Sequence, residues 1–148
     1  MGGLVDVVAD PARRRKLAVD GASLVDAEAA TKSGLSGMAV RAALKGMRAV
    51  RPDFVEDALN ALLPSFAPAL DPHWDRAVGE GDPDRYFRTR AREVADALLA
   101  VTDARAAKSK HPTVARAYKG LRAQARPHVE SAVPRLPALI RRHVTGGT

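Results

Sequence analysis

Apolar positions recur along this chain at spacings of three and four, and no stretch shows the two-residue alternation of a strand. Asp10 followed by Pro11 joins an N-cap to a proline at the first helical position, predicting a helix toward Val19. Gly21 is expected to interrupt it, with a second helical stretch from Ala22 to Lys32. Ser33-Gly34-Leu35-Ser36-Gly37 reads as a turn, with Ser36 capping the next helix. There Val40, Ala43, Leu44 and Met47 share one face, and Pro52 ends the helix because the residue before a proline disfavours the α conformation.

Asp53 can cap a further helix in which Val55, Leu59, Leu62 and Phe66 step by four, three and four. Pro64 and Pro68 are expected near a helix start, and Pro72 implies a kink or break. Gly79-Glu80-Gly81-Asp82-Pro83 is the clearest loop, with Asp82 and Pro83 repeating the cap-then-proline form. Phe87, Ala91, Val94, Ala95, Leu98 and Val101 form one stripe of a single periodic helix. After a break at Lys108-Ser109-Lys110-His111-Pro112, Val114, Tyr118, Leu121, Ala125 and Val129 mark a narrow apolar face. A last short helix starts near Pro134, with Leu136, Leu139, Ile140 and Val144 inward and Pro137 in its first turn. The pattern predicts an all-α fold: one compact domain over 1–148 of about seven or eight short helices, frayed at 1–9 and 145–148.

Composition agrees with that class. Of 148 residues 29 are alanine, the strongest helix former, and six are aromatic. The chain has no cysteine, which excludes disulfides, thiolate metal sites and cysteine nucleophiles. No apolar run reaches the roughly 18 residues of a membrane span, and Met1 to Asp6 lacks the basic head of a signal peptide. A cytoplasmic protein without integral membrane contact is expected.

Charge changes the picture. The first hundred residues carry fourteen bases and fifteen acids, whereas Val101 to Thr148 carries ten bases and two acids. A basic third on a near-neutral body suits an acidic macromolecule, either nucleic acid or an acidic protein face, or self-assembly. Arg116, Lys119, Arg122 and Arg126 fall on an arc about 120° wide at 100° per residue, and form the candidate acidic-partner surface. The other reading of the same residues is a solvated basic face.

A second candidate spans 25–48. A helix-turn-helix wants a small residue, a glycine four positions on, and a branched apolar residue six beyond that; Ala30, Gly34 and Val40 meet these spacings. Arg41, Lys45 and Arg48 would then project outward to contact DNA. An ordinary αα-hairpin meets the same spacings. Gly34, Ser36 and Gly37 could instead cradle an anion at a helix N-terminus. A third reading is a carrier of an apolar ligand, since a core rich in alanine can leave space between helices.

Catalysis finds no support. His73, His111, His128 and His143 show no metal-ligand spacing, and no nucleophile elbow, P-loop or dinucleotide fingerprint is present. No metal, cofactor or enzymatic activity is expected.

Several runs occur together: Leu24 to Glu28 leading to Lys32 through Gly37, Ala95 to Asp103, and Ala117-Tyr118-Lys119 on to Val133 through Leu136. In them the chain resembles an uncharacterised actinobacterial family of small all-helical proteins, over about residues 10–144. The resemblance implies one helical domain and assigns no activity to any residue.

Overall fold

The computed structural model describes residues 3–108, 110 and 112–144, apart from the side chains at 113, 114, 117, 121 and 124. Val114 and Leu121 of the predicted stripe, together with His111 and the terminal 145–148, therefore lie outside the described residues. Eight α-helices are present among the rest: α1 (Leu4–Ala9), α2 (Pro11–Thr31), α3 (Gly34–Val50), α4 (Phe54–Gly79), α5 (Pro83–Thr89), α6 (Ala91–Ala107), α7 (Pro112–Ala132) and α8 (Leu136–Val144). A single 3-10 turn, Val133–Arg135, joins the last two. The all-α bundle expected from periodicity is the observed architecture.

The cap-then-proline signals hold at atomic level. The Asp10 carboxylate accepts from the amides of Ala12 and Arg13, and Asp82 accepts from the amide of Arg85. Each satisfies donors that the first helical turn leaves unpaired.

Helix α4 is the axis of the fold, packing against α1, α2, α3, α5 and α6. Its inner face buries Ala67, Leu70, Trp74 and Ala77. Pro64, Pro68 and Pro72 lie inside it rather than near a start or at a break. Their spacing of four puts all three on one exposed face. The carbonyls that lose their intrahelical donors belong to Asn60, Pro64 and Pro68, the last two on exposed residues. Packing of the opposite face overrides a propensity cost of about 3 kcal/mol per proline.

Three other expectations are corrected. Gly21 does not interrupt α2, which is continuous from Pro11 to Thr31. A mid-helix glycine costs only about 1 kcal/mol, less than the burial of Leu17, Ala18 and Ala22 returns. The stripe from Phe87 to Val101 is divided by Arg90 into α5 and α6. Arg90 leaves helical geometry and lays its guanidinium 5.0 Å from the Tyr86 ring centroid. Finally, residues 4–9 do not fray: they form α1 and bury Leu4, Val7 and Val8.

What fixes α1 is a capping group from elsewhere in the sequence. Asp71 of α4 accepts from the amides of Leu4 at 2.7 Å and Val5 at 3.0 Å. Leu4 and Val7 thereby join Trp74, Phe87 and Ile140 in one core cluster. The Tyr86 hydroxyl, buried in the same cluster, is paired with His73 Nδ1 at 2.9 Å. Asp71→Ala should lower unfolding free energy by about 1–2 kcal/mol, the usual loss of an N-cap. Urea denaturation followed by circular dichroism measures it, and an unchanged midpoint would contradict the anchoring role.

Candidate functional site

Helix α2 presents an unbroken inner stripe of Leu17, Gly21, Leu24 and Glu28, stepping by three and four, and Lys32 follows as its C-cap. Opposite it, α4 supplies Leu59, Leu63 and Phe66, and the C-terminal helices supply Val129, Leu136 and Leu139. These surfaces line a half-open cavity of about 300 Å³. From Leu17 to Ala29 its lining spreads along α2 over about 18 Å at 1.5 Å per residue, so the space is a slot rather than a sphere. Glu28, Lys32 and His128 are the polar side chains of the described lining, and all lie toward one end. His128 also lines a surface groove with Leu35, Ser36 and Pro127, which places the polar end next to solvent.

The polar end is built around one carboxylate. Glu28 is buried, and Lys32 Nζ stands 2.6 Å from its Oε2. Ser131 donates to the same oxygen at 2.8 Å, and Arg135 Nε donates to Oε1 at 2.8 Å. Burial by itself raises the Glu28 pKa, but the bonds from Lys32, Arg135 and Ser131 outweigh it and bring the value down to about 2. Next to this cluster, His128 Nε2 and Ser36 Oγ are 2.5 Å apart.

Helix α3 covers this end. Gly34 has a φ of +73°, the left-handed turn that glycine permits between α2 and α3. Gly37 is buried against the Lys32 backbone so closely that a Cβ there would sit 2.8 Å from its carbonyl carbon. Ser36 does not cap α3, since the N-cap position is Ser33 and the Ser36 hydroxyl turns to His128. Of the three residues suggested as an anion cradle, Gly37 is packed on the Lys32 backbone and the Ser36 hydroxyl is taken by His128.

The candidate DNA-reading residues are largely engaged in holding this hairpin. Arg41 donates to the carbonyls of Ala29 at 3.1 Å and Lys32 at 2.7 Å, closing the C-terminus of α2. Arg48 makes a two-pronged pair with Asp26 at 2.8 and 3.0 Å. Arg41 and Lys45 lie at the surface and Arg48 is half-buried, with both arginines already paired within the protein.

The four residues of the basic arc also divide. Arg122 pairs with Asp103, its Nε at 2.8 Å, and Arg126 reaches Asp96 at 2.6 Å. Arg122 and the Tyr118 hydroxyl hold the Asp103 carboxyl below its usual range. Burial, then Asp103, pushes the Tyr118 hydroxyl up. These contacts fasten α7 to α6. Arg116 and Lys119 remain exposed. Further along, Arg142 and His143 both approach Asp20, at 3.4 and 2.6 Å. The signal for the α6–α7 pairs was present in the sequence: Asp96 and Asp103 stand seven apart, two helical turns, so they share one face.

Among the described residues no group of three His, Asp or Glu side chains is placed to hold a metal ion. No helix there is long and apolar enough to cross a membrane. The arrangement is that of an all-helical bundle around an apolar slot with one charged end. The chain belongs to a family of unknown function, DUF6918, whose model matches residues 4–144. No curated protein and no solved structure matches it.

The Glu28 cluster sets an acid limit on stability. Its folded pKa lies below the ordinary value of 4.5. The stabilisation is therefore complete above about pH 4.5 and is lost as pH falls toward about 2. A displacement of this size corresponds to about 3 kcal/mol. Glu28→Gln should lower neutral-pH stability and flatten that acid limb. Denaturant midpoints taken across pH 2–6 check both effects, and a variant limb as steep as the parent's would contradict them.

Proposed function

We propose that the protein binds a small apolar ligand in the slot between α2, α4 and the C-terminal helices, acting as a carrier rather than a catalyst. One observation carries the reading: a cavity of about 300 Å³ with an apolar lining and polar side chains at one end. That volume stands at the lower end of ligand pockets, about 300–1,000 Å³. It is about twice the engineered apolar cavity that takes up benzene, which suggests a ligand of about a dozen carbon atoms. At about 0.8 kcal/mol per buried methylene, such a chain gains about 10 kcal/mol gross. Subtracting at least about 4 kcal/mol for association leaves a dissociation constant in the tens of micromolar.

The uncharged fluorescent probe N-phenyl-1-naphthylamine tests this directly. Saturable emission at one probe per chain is expected, with displacement by dodecanol. Gly21→Leu should abolish it, because the new side chain points at Leu59, whose Cδ1 would be 3.4 Å from the added Cβ. Ala132→Leu blocks the slot from the opposite wall. Unsaturable emission, or binding that survives in both variants with native circular dichroism, would overturn the reading.

A second reading, an acidic partner, is supported by a different group of cations. Residues 104–129 contain no acid, and Arg105, Lys108, Lys110, Arg116 and Lys119 are all exposed. They gather at the α6–α7 turn and the first two turns of α7, with Arg122 and Arg126 largely neutralised behind them. If duplex DNA is that partner, retention should fall steeply between 50 and 200 mM salt, as counterion release requires. Replacing Arg116 and Lys119 with glutamine should weaken it further. Absence of retention even at low salt would remove nucleic acid as the partner.

A further inference from the structure

We propose that the outer face of α3 docks on an anionic lipid surface, with Leu35 and Met38 entering the interface and cations of α3 and α7 resting on the head groups. The inference is independent of what the slot holds. Among the described residues the three most exposed large apolar side chains are Leu35, Val50 and Met38, at 84, 78 and 60%, and all three stand on α3. Helical spacing places Leu35, Ala39, Gly46 and Val50 in one row and Met38, Ala42, Lys45 and Ala49 in the next. Every one of these residues is exposed. A helix of a globular protein normally turns its apolar stripe to the core. Helix α3 already does so with its other side, on which Gly37 is buried and Val40 lines the slot. The outer rows are a second apolar face.

Charge indicates what covers that face. Residues 29–52 and 104–129 contain no acid, yet hold five and seven of the 24 bases. The two stretches meet at the surface, where Leu35 and Ala39 of α3 share a groove with Ala123 and Pro127 of α7. Arg116 and Lys119 lie seven and four residues before Ala123, on the same exposed side of α7. Neither they nor Lys45 take part in an ion pair among the described residues. Exposed apolar side chains flanked by cations, with no carboxylate between them, suit a helix lying in an anionic bilayer interface. Nucleic acid would engage the cations but offers leucine and methionine little to contact. A protein partner would favour anchors seated in pockets, commonly aromatic, whereas Leu35 and Met38 protrude from a convex helix. A second copy would bring two faces of like charge together. A fluid lipid surface requires no matched shape and supplies the opposite charge.

Cosedimentation of the whole chain with phosphatidylcholine vesicles containing about a third phosphatidylserine tests the proposal. Binding is expected at low salt, at least tenfold weaker at high salt and absent with phosphatidylcholine alone. Leu35→Gln with Met38→Gln should weaken it about tenfold or more. Arg116→Gln with Lys119→Gln should do the same, at about fivefold per cation. The chain has no cysteine, so Met38→Cys accepts a single nitrobenzoxadiazole label, with the exposed Ser65→Cys on α4 as reference. Vesicles should shift the emission of the first label to the blue and leave the second unmoved. Absence of vesicle binding at low salt would overturn the proposal, and DNA retention by the same protein would then leave the acidic-partner reading standing. Binding without a shift at residue 38, or undiminished by Leu35→Gln with Met38→Gln, would overturn docking through α3. A shift without vesicles that grows with protein concentration would assign the face to a second copy. Retention on polyglutamate but not on vesicles would assign it to an acidic protein, and either result overturns the lipid assignment.

Discussion

The fold turns on one buried carboxylate. Glu28 lies near the end of α2, yet its partners Ser131 and Arg135 come more than a hundred residues later. Through it the C-terminal helices are tied back to the N-terminal half and the bundle closes. Such a group has no cheap alternative: removing its cations would strand a charge out of water, at a cost of about 3–5 kcal/mol. The same contacts hold Lys32 at the end of α2, where Arg41 and Gly37 of α3 pack against its backbone. The Glu28 bonds thus join bundle closure to the polar end of the slot, beside the Arg142 and His143 contacts to Asp20 that also fasten α8 to α2.

The slot itself reflects a composition of many alanines and few aromatics. Ala18, Gly21 and Ala29 on α2 and Ala132 on α7 line it, and none is large enough to reach the facing wall. Apolar space left unfilled forfeits packing contacts along its walls. Trp74 and Tyr86 each pack on the Phe87 ring, at 6.2 and 5.7 Å between centroids, in a core cluster that shares Leu4, Leu17 and Ile140 with the walls of the slot.

Much of this was legible in the sequence, and what was not has identifiable causes. Asp10-Pro11 and Asp82-Pro83 announced their helices because the signal is local: a side chain reaching an amide two or three residues on. Gly21 misled because its propensity cost is local while the burial that overrides it is not, and the expected break hid the α2 stripe that forms one wall of the slot. The prolines of α4 misled similarly, since their tolerance depends on which side meets water. Arg41 and Arg48 looked free because their partners, the carbonyls of Ala29 and Lys32 and the carboxylate of Asp26, belong to the preceding helix. The basic tail was correctly counted, but a count cannot show that Asp96 and Asp103 lie beneath Arg126 and Arg122. Glu28 gave no sequence signal for its role, because its partners are set by topology.

The proline ladder of α4 has a consequence for encounters with other molecules. Along that side the backbone oxygens of the exposed Pro64 and Pro68 lack the usual intrahelical donor, so hydration is their natural supply. Any protein or lipid settling on this flank would have to replace those waters with hydrogen-bond donors of its own. A greasy surface has none to offer. The α4 flank is thus fitted to remain bathed in solvent, which directs association toward the other sides of the bundle.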